Sequence, residues 1–416
     1  MKCKSRKMKQ EVQMVEKSLD RKLAEIHANR NSKTFILADA KDADMAFGIR
    51  SGGVSPESYH GELRFRSIAE YREMMRQVTI QAAVDIMLMS ASSTEILAIQ
   101  EHLFDNSPVT PAVRANDTTD IHLARHGIYV NEFSRPFRSA TIDHAQCGKY
   151  ECAPSERGAG ANLGLYSVTF NNNHERDLET LRAFKEFRLE AEEKGFRYFL
   201  EVFDPNMDIG LSPEKIGEFV NDMVTRSLAG VTSAGRPLFL KMVYHGPKAM
   251  EELVNYDPHL IVGILGGSAG TTYDAFKLIH EAQKYGARIA LFGRKINNAE
   301  HQLAFVRFLR LIVDGAVSPE DAVPAYHAVL QGMGIKPHRS LEDDSALTTG
   351  IMSYGGSSTA TIDMGQRSGS QTPVSAPLPG SAPLRAPSRD NEPDWSRMTP
   401  QEKLAYNQRE RDRIFG

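Results

Sequence analysis

Cysteine is scarce: Cys3, Cys147 and Cys152 are the whole complement in 416 residues. They are too few and too unevenly placed for a disulfide framework, which fits a reducing compartment and predicts a cytoplasmic location with no export. Long apolar runs are missing as well. None approaches the roughly 18 residues of a membrane span, and the basic start, residues 1–9, leads into a charged helical segment where a signal peptide would have its apolar core. Nor is there an excess of one charge: a formal net charge of -3 and a pI near 6.5 give no general attraction to nucleic acid or to anionic membranes. What is present, 41% hydrophobic and 25% charged residues, suits an enzyme of one large domain or two ordinary ones.

Residues 1–33 read as an N-terminal amphipathic helix, because Val12, Val15, Leu19, Leu23 and Ile26 recur at spacings of three and four and so share one face. That face must pack on something. Beyond it, β-rich runs at 34–39, 85–89, 109–115, 163–170, 197–203, 237–243, 259–265 and 287–292 alternate with longer helical segments such as 177–194 and 273–285. Eight such repeats predict an α/β fold, a (β/α)8 TIM barrel over residues 34–344. An insertion near 116–161 is too long for an ordinary βα loop, and its His122, Arg125, His126, Arg135, Arg138, Asp143 and His144 are expected at the catalytic mouth. After the last strand a helix is expected over 300–313, and Ser318-Pro-Glu-Asp begins another with a hydroxyl N-cap and proline in the first turn. Residues 345–416 turn to Ser, Thr, Gly and Pro, a composition that cannot bury enough surface to offset its ordering entropy. A flexible tail follows, with Thr399 and Glu402 able to cap a short terminal helix that either docks on a partner or frays in solvent.

Lys241 stands in the otherwise apolar run Leu-Phe-Leu-Lys-Met-Val-Tyr ending at Tyr244. Burying an ammonium is costly. Desolvation favours the neutral amine, the form that attacks a carbonyl to make a Schiff base. Two readings stand: a nucleophile, or a core amine paired with a carboxylate. The next two strands end in Gly266-Gly267-Ser268 and Gly293-Arg294. Loops after strands seven and eight are where barrels bind phosphate, since glycine admits the anion to backbone N–H groups and arginine adds a planar charged donor.

This order, a strand lysine followed by x-x-Tyr244-x-Gly246, then Gly-Gly, then Gly-Arg, resembles the archaeal-type class I fructose-bisphosphate aldolases over about residues 235–315. The resemblance implies an aldolase-type barrel, Lys241 as the Schiff-base residue, and Gly266, Gly267, Ser268, Gly293 and Arg294 as phosphate contacts. Phe203 stands where that family usually has a tyrosine acid/base. The sequence Phe-Leu-Glu201 is instead similar to class I tagatose-bisphosphate aldolases, whose strand-five glutamate moves the proton, and this implies the acid/base role for Glu201. Aldolases of both kinds place an aspartate at the end of strand one, here Asp39, although the His-Gly that often follows is absent. Asp39 is therefore expected to orient the imine, or else to cap a helix or pair with Lys241.

The expected function is a carbon–carbon lyase acting on a phosphorylated sugar or related oxo compound, with no cofactor and no metal. The partners expected are that small molecule and further copies of the chain, with a protein partner for the tail, and neither nucleic acid nor membrane. His144, Cys147 and Cys152 with Asp143 form an alternative zinc set, but Cys-x4-Cys lacks a paired Cys-x2-Cys half, so free thiols in a loop are expected. Residues 171–174, Asn-Asn-Asn-His, could bind substrate hydroxyls or form a polar turn. Two rival functions remain: another phosphosugar-acting barrel, such as an isomerase or transaldolase-like enzyme, and an inactive barrel serving as an interaction protein.

Overall fold

The computed structural model of the protein describes residues 15–59, 62–267 and 270–349. Ser268, Val12 and the proposed terminal helix lie outside them. Eight parallel strands form a closed barrel: β1 (Ile36–Lys41), β2 (Ile86–Met89), β3 (Thr110–Arg114), β4 (Leu163–Thr169), β5 (Arg197–Phe203), β6 (Leu240–Met242), β7 (Gly263–Leu265) and β8 (Ile289–Phe292). All eight fall within or beside the expected runs. Each strand pairs with the next in sequence, and β8 closes on β1 through Ile36–Ile289 to Asp39–Phe292.

Because successive side chains alternate across a strand, the barrel has two apolar compartments. Leu37, Met87, Val113, Tyr166, Leu200, Met242, Ile264 and Ala290 point outward into the layer shared with the helices. Ile36, Ala38, Ile86, Leu88, Ala112, Leu163, Leu165, Phe199, Phe239 and Leu291 fill the interior, and Leu19, Leu23 and Ile26 join them. These last three are the buried face of the helix Ser18–Ala28. The helix closes the end of the barrel where the strands begin: Lys22 bonds Phe35 O and Asp85, Lys17 bonds Phe104 O and Ser107 O, and Arg197 pairs with Asp20.

The insertion divides. Its first part lies over the opposite end: Asp120 accepts from Thr169 at the end of β4, Ser134 N–H donates to Asn206 beyond β5, and Leu123 N–H reaches Ala46 O beyond β1. Its second part runs down the outside. Arg138 pairs with Glu190 and lies over the Phe187 ring, while Asp143 pairs with Lys194, all on or beside the helix His174–Glu193. Asp143 is thus not at the mouth, because the chain must return to the start of β4, while Arg138 also donates to Ala115 O just past the end of β3. Cys147 and Cys152 are joined by a disulfide, where free thiols were expected. Among the described residues these two and Glu156 bring metal-type ligand atoms within 4.8 Å of one another. However, sulfur in a disulfide is not the thiolate a metal binds, and Glu156 is held by Lys149 and the Ala153 N–H.

The helices Gln302–Val313 and Pro319–Gly332 follow β8 as expected, the second capped by Ser318 Oγ on Asp321 N–H. The packed chain continues past the expected boundary at 344. Asp344 accepts from the Thr272 N–H at 2.8 Å and from His327 Nε2 at 2.9 Å, and Thr348 and Thr349 N–H both reach Asp274. Residues 340–349 therefore form a strap across the start of the helix Thr272–Lys284. No helix among the described residues is long and apolar enough to cross a membrane.

Candidate active site

Three neighbouring strands send polar side chains into the barrel at one level. Ser167 stands opposite Glu201 in the β4–β5 pairing, and Glu201 opposite Lys241 in the β5–β6 pairing. Lys241 Nζ lies 2.5 Å from Glu201 Oε1. The other carboxylate oxygen, Oε2, accepts from Ser167 Oγ at 2.7 Å and Arg114 Nη2 at 3.3 Å. Arg114 also donates through Nη1 to Ser167 Oγ at 3.0 Å and through Nε to Asp42 Oδ2 at 2.5 Å. The cluster holds two cations and two anions, and its side chains are buried: Lys241 is 3% exposed, and Arg114 and Glu201 are fully covered. On the far side of Lys241 the wall is bare. Gly263 precedes the Met242–Ile264 pair by one residue, and a β-carbon there would lie 2.6 Å from Leu240 O. Lys241 is thus flanked by a carboxylate on β5 and by no side chain on β7.

Lys241 and Glu201 are brought together. Asp39 is not brought to them. It shares the outward face of β1 with Leu37, and Lys41 Nζ lies 2.7 Å from its Oδ2 with both side chains fully buried. Burial there pushes the Asp39 carboxyl up and the Lys41 amine down. The aspartate that reaches the interior is Asp42, just past the strand, through Arg114. Asp44, next on the chain, bonds Ser90 Oγ, and burial lifts it to about 6.

Of the expected phosphate contacts, Gly266 donates its N–H to Leu291 O, so that group belongs to the barrel ladder. Its lack of a side chain is still required, since a β-carbon would lie 2.2 Å from the Phe292 ring. Gly267 has φ +55°, in the left-handed region that favours glycine. Gly293 passes so close to β1 that a β-carbon would meet Ala40 O at 2.4 Å. Arg294, mostly buried, lies with its guanidinium 5.7 Å from the Phe47 ring centroid. Ser268 lies outside the described residues. The turn after β4 is a structural clasp: Asn171 exchanges hydrogen bonds with Asn206, and Asn173 caps the following helix through the Arg176 N–H.

Sequence reasoning missed Arg114, Ser167 and Asp42. Arg114 ends the strand Thr-Pro-Ala-Val-Arg, and a charge in an apolar run is the same signal that singled out Lys241. Ser167 and Asp42 carry no comparable mark.

No protein-family model matches the chain, and no curated protein matches it. Among solved structures, a Schiff-base-forming fructose-1,6-bisphosphate aldolase is similar at 15% identity, covering 71% of this chain and 99% of that one, with a TM-score of 0.50. An archaeal fructose 1,6-bisphosphate aldolase is similar at 14% identity, covering 71% and 99%, with a TM-score of 0.49. At this identity the likeness shows the (β/α)8 barrel fold.

Proposed function

We propose that the protein is a lyase of the class I aldolase type, cleaving or forming a carbon–carbon bond in a phosphorylated oxo compound through an imine on Lys241. The observation that carries this reading is the 2.5 Å approach of Lys241 Nζ to Glu201 Oε1 inside the barrel. Transfer of one proton across it leaves the neutral amine and a protonated carboxyl. The amine adds to the substrate carbonyl. Glu201 then gives its proton to the resulting hydroxyl, which leaves as water, and the iminium forms. For cleavage, the Glu201 carboxylate takes the proton from the hydroxyl on the departing carbon, and the electrons of the broken bond move into the iminium to give an enamine. Ser167 and Arg114, both on Oε2, turn Oε1 toward the lysine. Asp42 orients Arg114.

Gly267, Ser268, Gly293 and Arg294 hold the phosphate in this reading, with Gly266 contributing its small size. A cytoplasmic location, assembly into homo-oligomers and a protein partner for the chain beyond residue 349 belong to the same proposal.

A second reading has one observation in its favour: every charged group of the cluster already has a partner, as in a barrel that keeps its lysine for electrostatics alone. Borohydride reduction in the presence of phosphorylated ketones separates the two. The lyase reading expects a covalent adduct on Lys241 located by mass spectrometry of peptides. Folded protein that yields no adduct across a broad panel sinks it.

A further inference from the structure

The layer of the barrel directly above Lys241 and Glu201 is apolar. Phe203 and Val243 follow those two residues by two positions on β5 and at the end of β6, so they share the inward face. Leu265 follows Gly263 on β7 in the same way. These three, with Ile121 from the insertion, form a separate buried cluster in which each residue is no more than 4% exposed. Ile121 belongs to the turn Thr119–Ile121, held over the mouth by Asp120, whose carboxylate accepts from Ser134 Oγ at 2.6 Å and Thr169 Oγ1 at 2.9 Å.

A sugar carrying a row of hydroxyls would need hydrogen-bonding groups at this level, because a hydroxyl buried without a partner is disfavoured. Two of the polar side chains beside it are engaged within the protein. Asn116 accepts from the Ser167 N–H at 2.6 Å and donates to Ser167 O at 2.8 Å, and Thr169 is bonded to Asp120. Asp117 Oδ1 and Thr118 Oγ1, on the ribbon leading into the turn, His122 Nδ1 just after it and His245 Nδ1 two residues beyond Val243 are buried without a hydrogen-bond partner; none of them belongs to the apolar cluster itself, so they could receive hydroxyls only beyond the segment beside the carbonyl. A further hydroxyl is met by Glu201 itself, in the bond-breaking step.

We infer that the substrate presents an apolar segment, deoxy or alkyl, beside the carbonyl that reacts with Lys241, with Phe203, Val243, Leu265 and Ile121 as the residues that select it. The inference rests on the Schiff-base reading and names the substrate class within it.

The test uses the full chain and two phosphorylated ketones that differ by one hydroxyl on the carbon next to the carbonyl: hydroxyacetone phosphate and dihydroxyacetone phosphate. Borohydride trapping on Lys241 is expected to run about 10- to 100-fold more efficiently with the first, the discrimination an apolar pocket gives against an added hydroxyl. Val243→Thr, which keeps the shape and adds a hydroxyl, should narrow that ratio. If Val243→Thr does not fold, the wild-type ratio alone decides. Equal trapping, or a preference for dihydroxyacetone phosphate, overturns the inference and leaves the lyase reading standing. Absence of any adduct with either ketone removes the reading beneath it and the inference together.

Discussion

Glu201 and Asp42 are the residues whose replacement speaks most directly about chemistry. Glu201→Gln keeps the size and the contacts to Ser167 and Arg114 but cannot take a proton, so turnover should fall by about 10²-fold or more. Turnover within a few-fold of wild type would place the proton transfer elsewhere. The two aspartates at the end of β1 should separate cleanly. Asp39→Asn leaves the buried Lys41 ammonium without its counter-charge, and removing one member of a buried pair typically costs about 3–5 kcal/mol. Asp42→Asn should lower turnover with a smaller change in stability, because Arg114 keeps Glu201 and Ser167. Thermal unfolding and turnover per folded molecule, measured on both variants, check this. The misplacement of Asp39 has a physical source. All six residues of β1 are buried, on one side by the barrel interior and on the other by the helices, so the period-two alternation that fixes facing in a half-exposed strand leaves no trace in the sequence.

At the scale of elements, the helix Ser18–Ala28 and the start of β2 share a charge device at the closed end. Asp85 Oδ2 is 2.8 Å from Lys22 Nζ and 2.7 Å from Arg310 Nη2, and it also accepts from the Leu37 N–H. Burial pushes the carboxyl up, but Arg310 and Lys22 outweigh it and hold it below the usual carboxylate range. A carboxyl depressed on folding stabilises the protein above its unfolded pKa of about 3.9, and that stability is lost as pH falls through the lower folded value. Asp85→Asn should therefore cost about 3 kcal/mol at neutral pH, and the gap from wild type should close in acid. Denaturant midpoints across that range test it; a gap independent of pH would mean that the side chain acts by packing alone. This element was legible in part, since Leu19, Leu23 and Ile26 announce a buried face. The sequence could not show what covers it, because the partner surface is assembled from all eight strands or the residues just before them, each supplying one to three residues.

For the molecule as a whole, the strand count and the order of the strands follow from β-rich runs alternating with helical segments of period three to four, whereas the level shared by Lys241 and Glu201 comes from the β5–β6 register. The strap at 340–349 does not. Its attachments are hydrogen bonds that Asp344 accepts and that the Thr348 and Thr349 N–H groups donate, and polar contacts leave no apolar rhythm to read. A chain ending after Thr349 should match the full-length protein in thermal unfolding and turnover. One ending after Arg339 should unfold at lower temperature, since the Thr272 N–H and Asp274 lose their partners next to the loop that leaves β7. Equal melting of the two would show that the strap merely rests on the barrel.

Closure of the barrel also sets the order in which the protein can become safe during its synthesis. β1 is made some 250 residues before its partner β8, and Arg310, which shares Asp85 with Lys22, is made later still. Until then the nascent chain carries an open strand edge and an interior without its last wall, both invitations to pair with other chains. Translation that stops before the helix Gln302–Val313 would release a sticky fragment, so chaperones that shield incomplete chains should hold this one from the emergence of β1 until β8 closes the barrel.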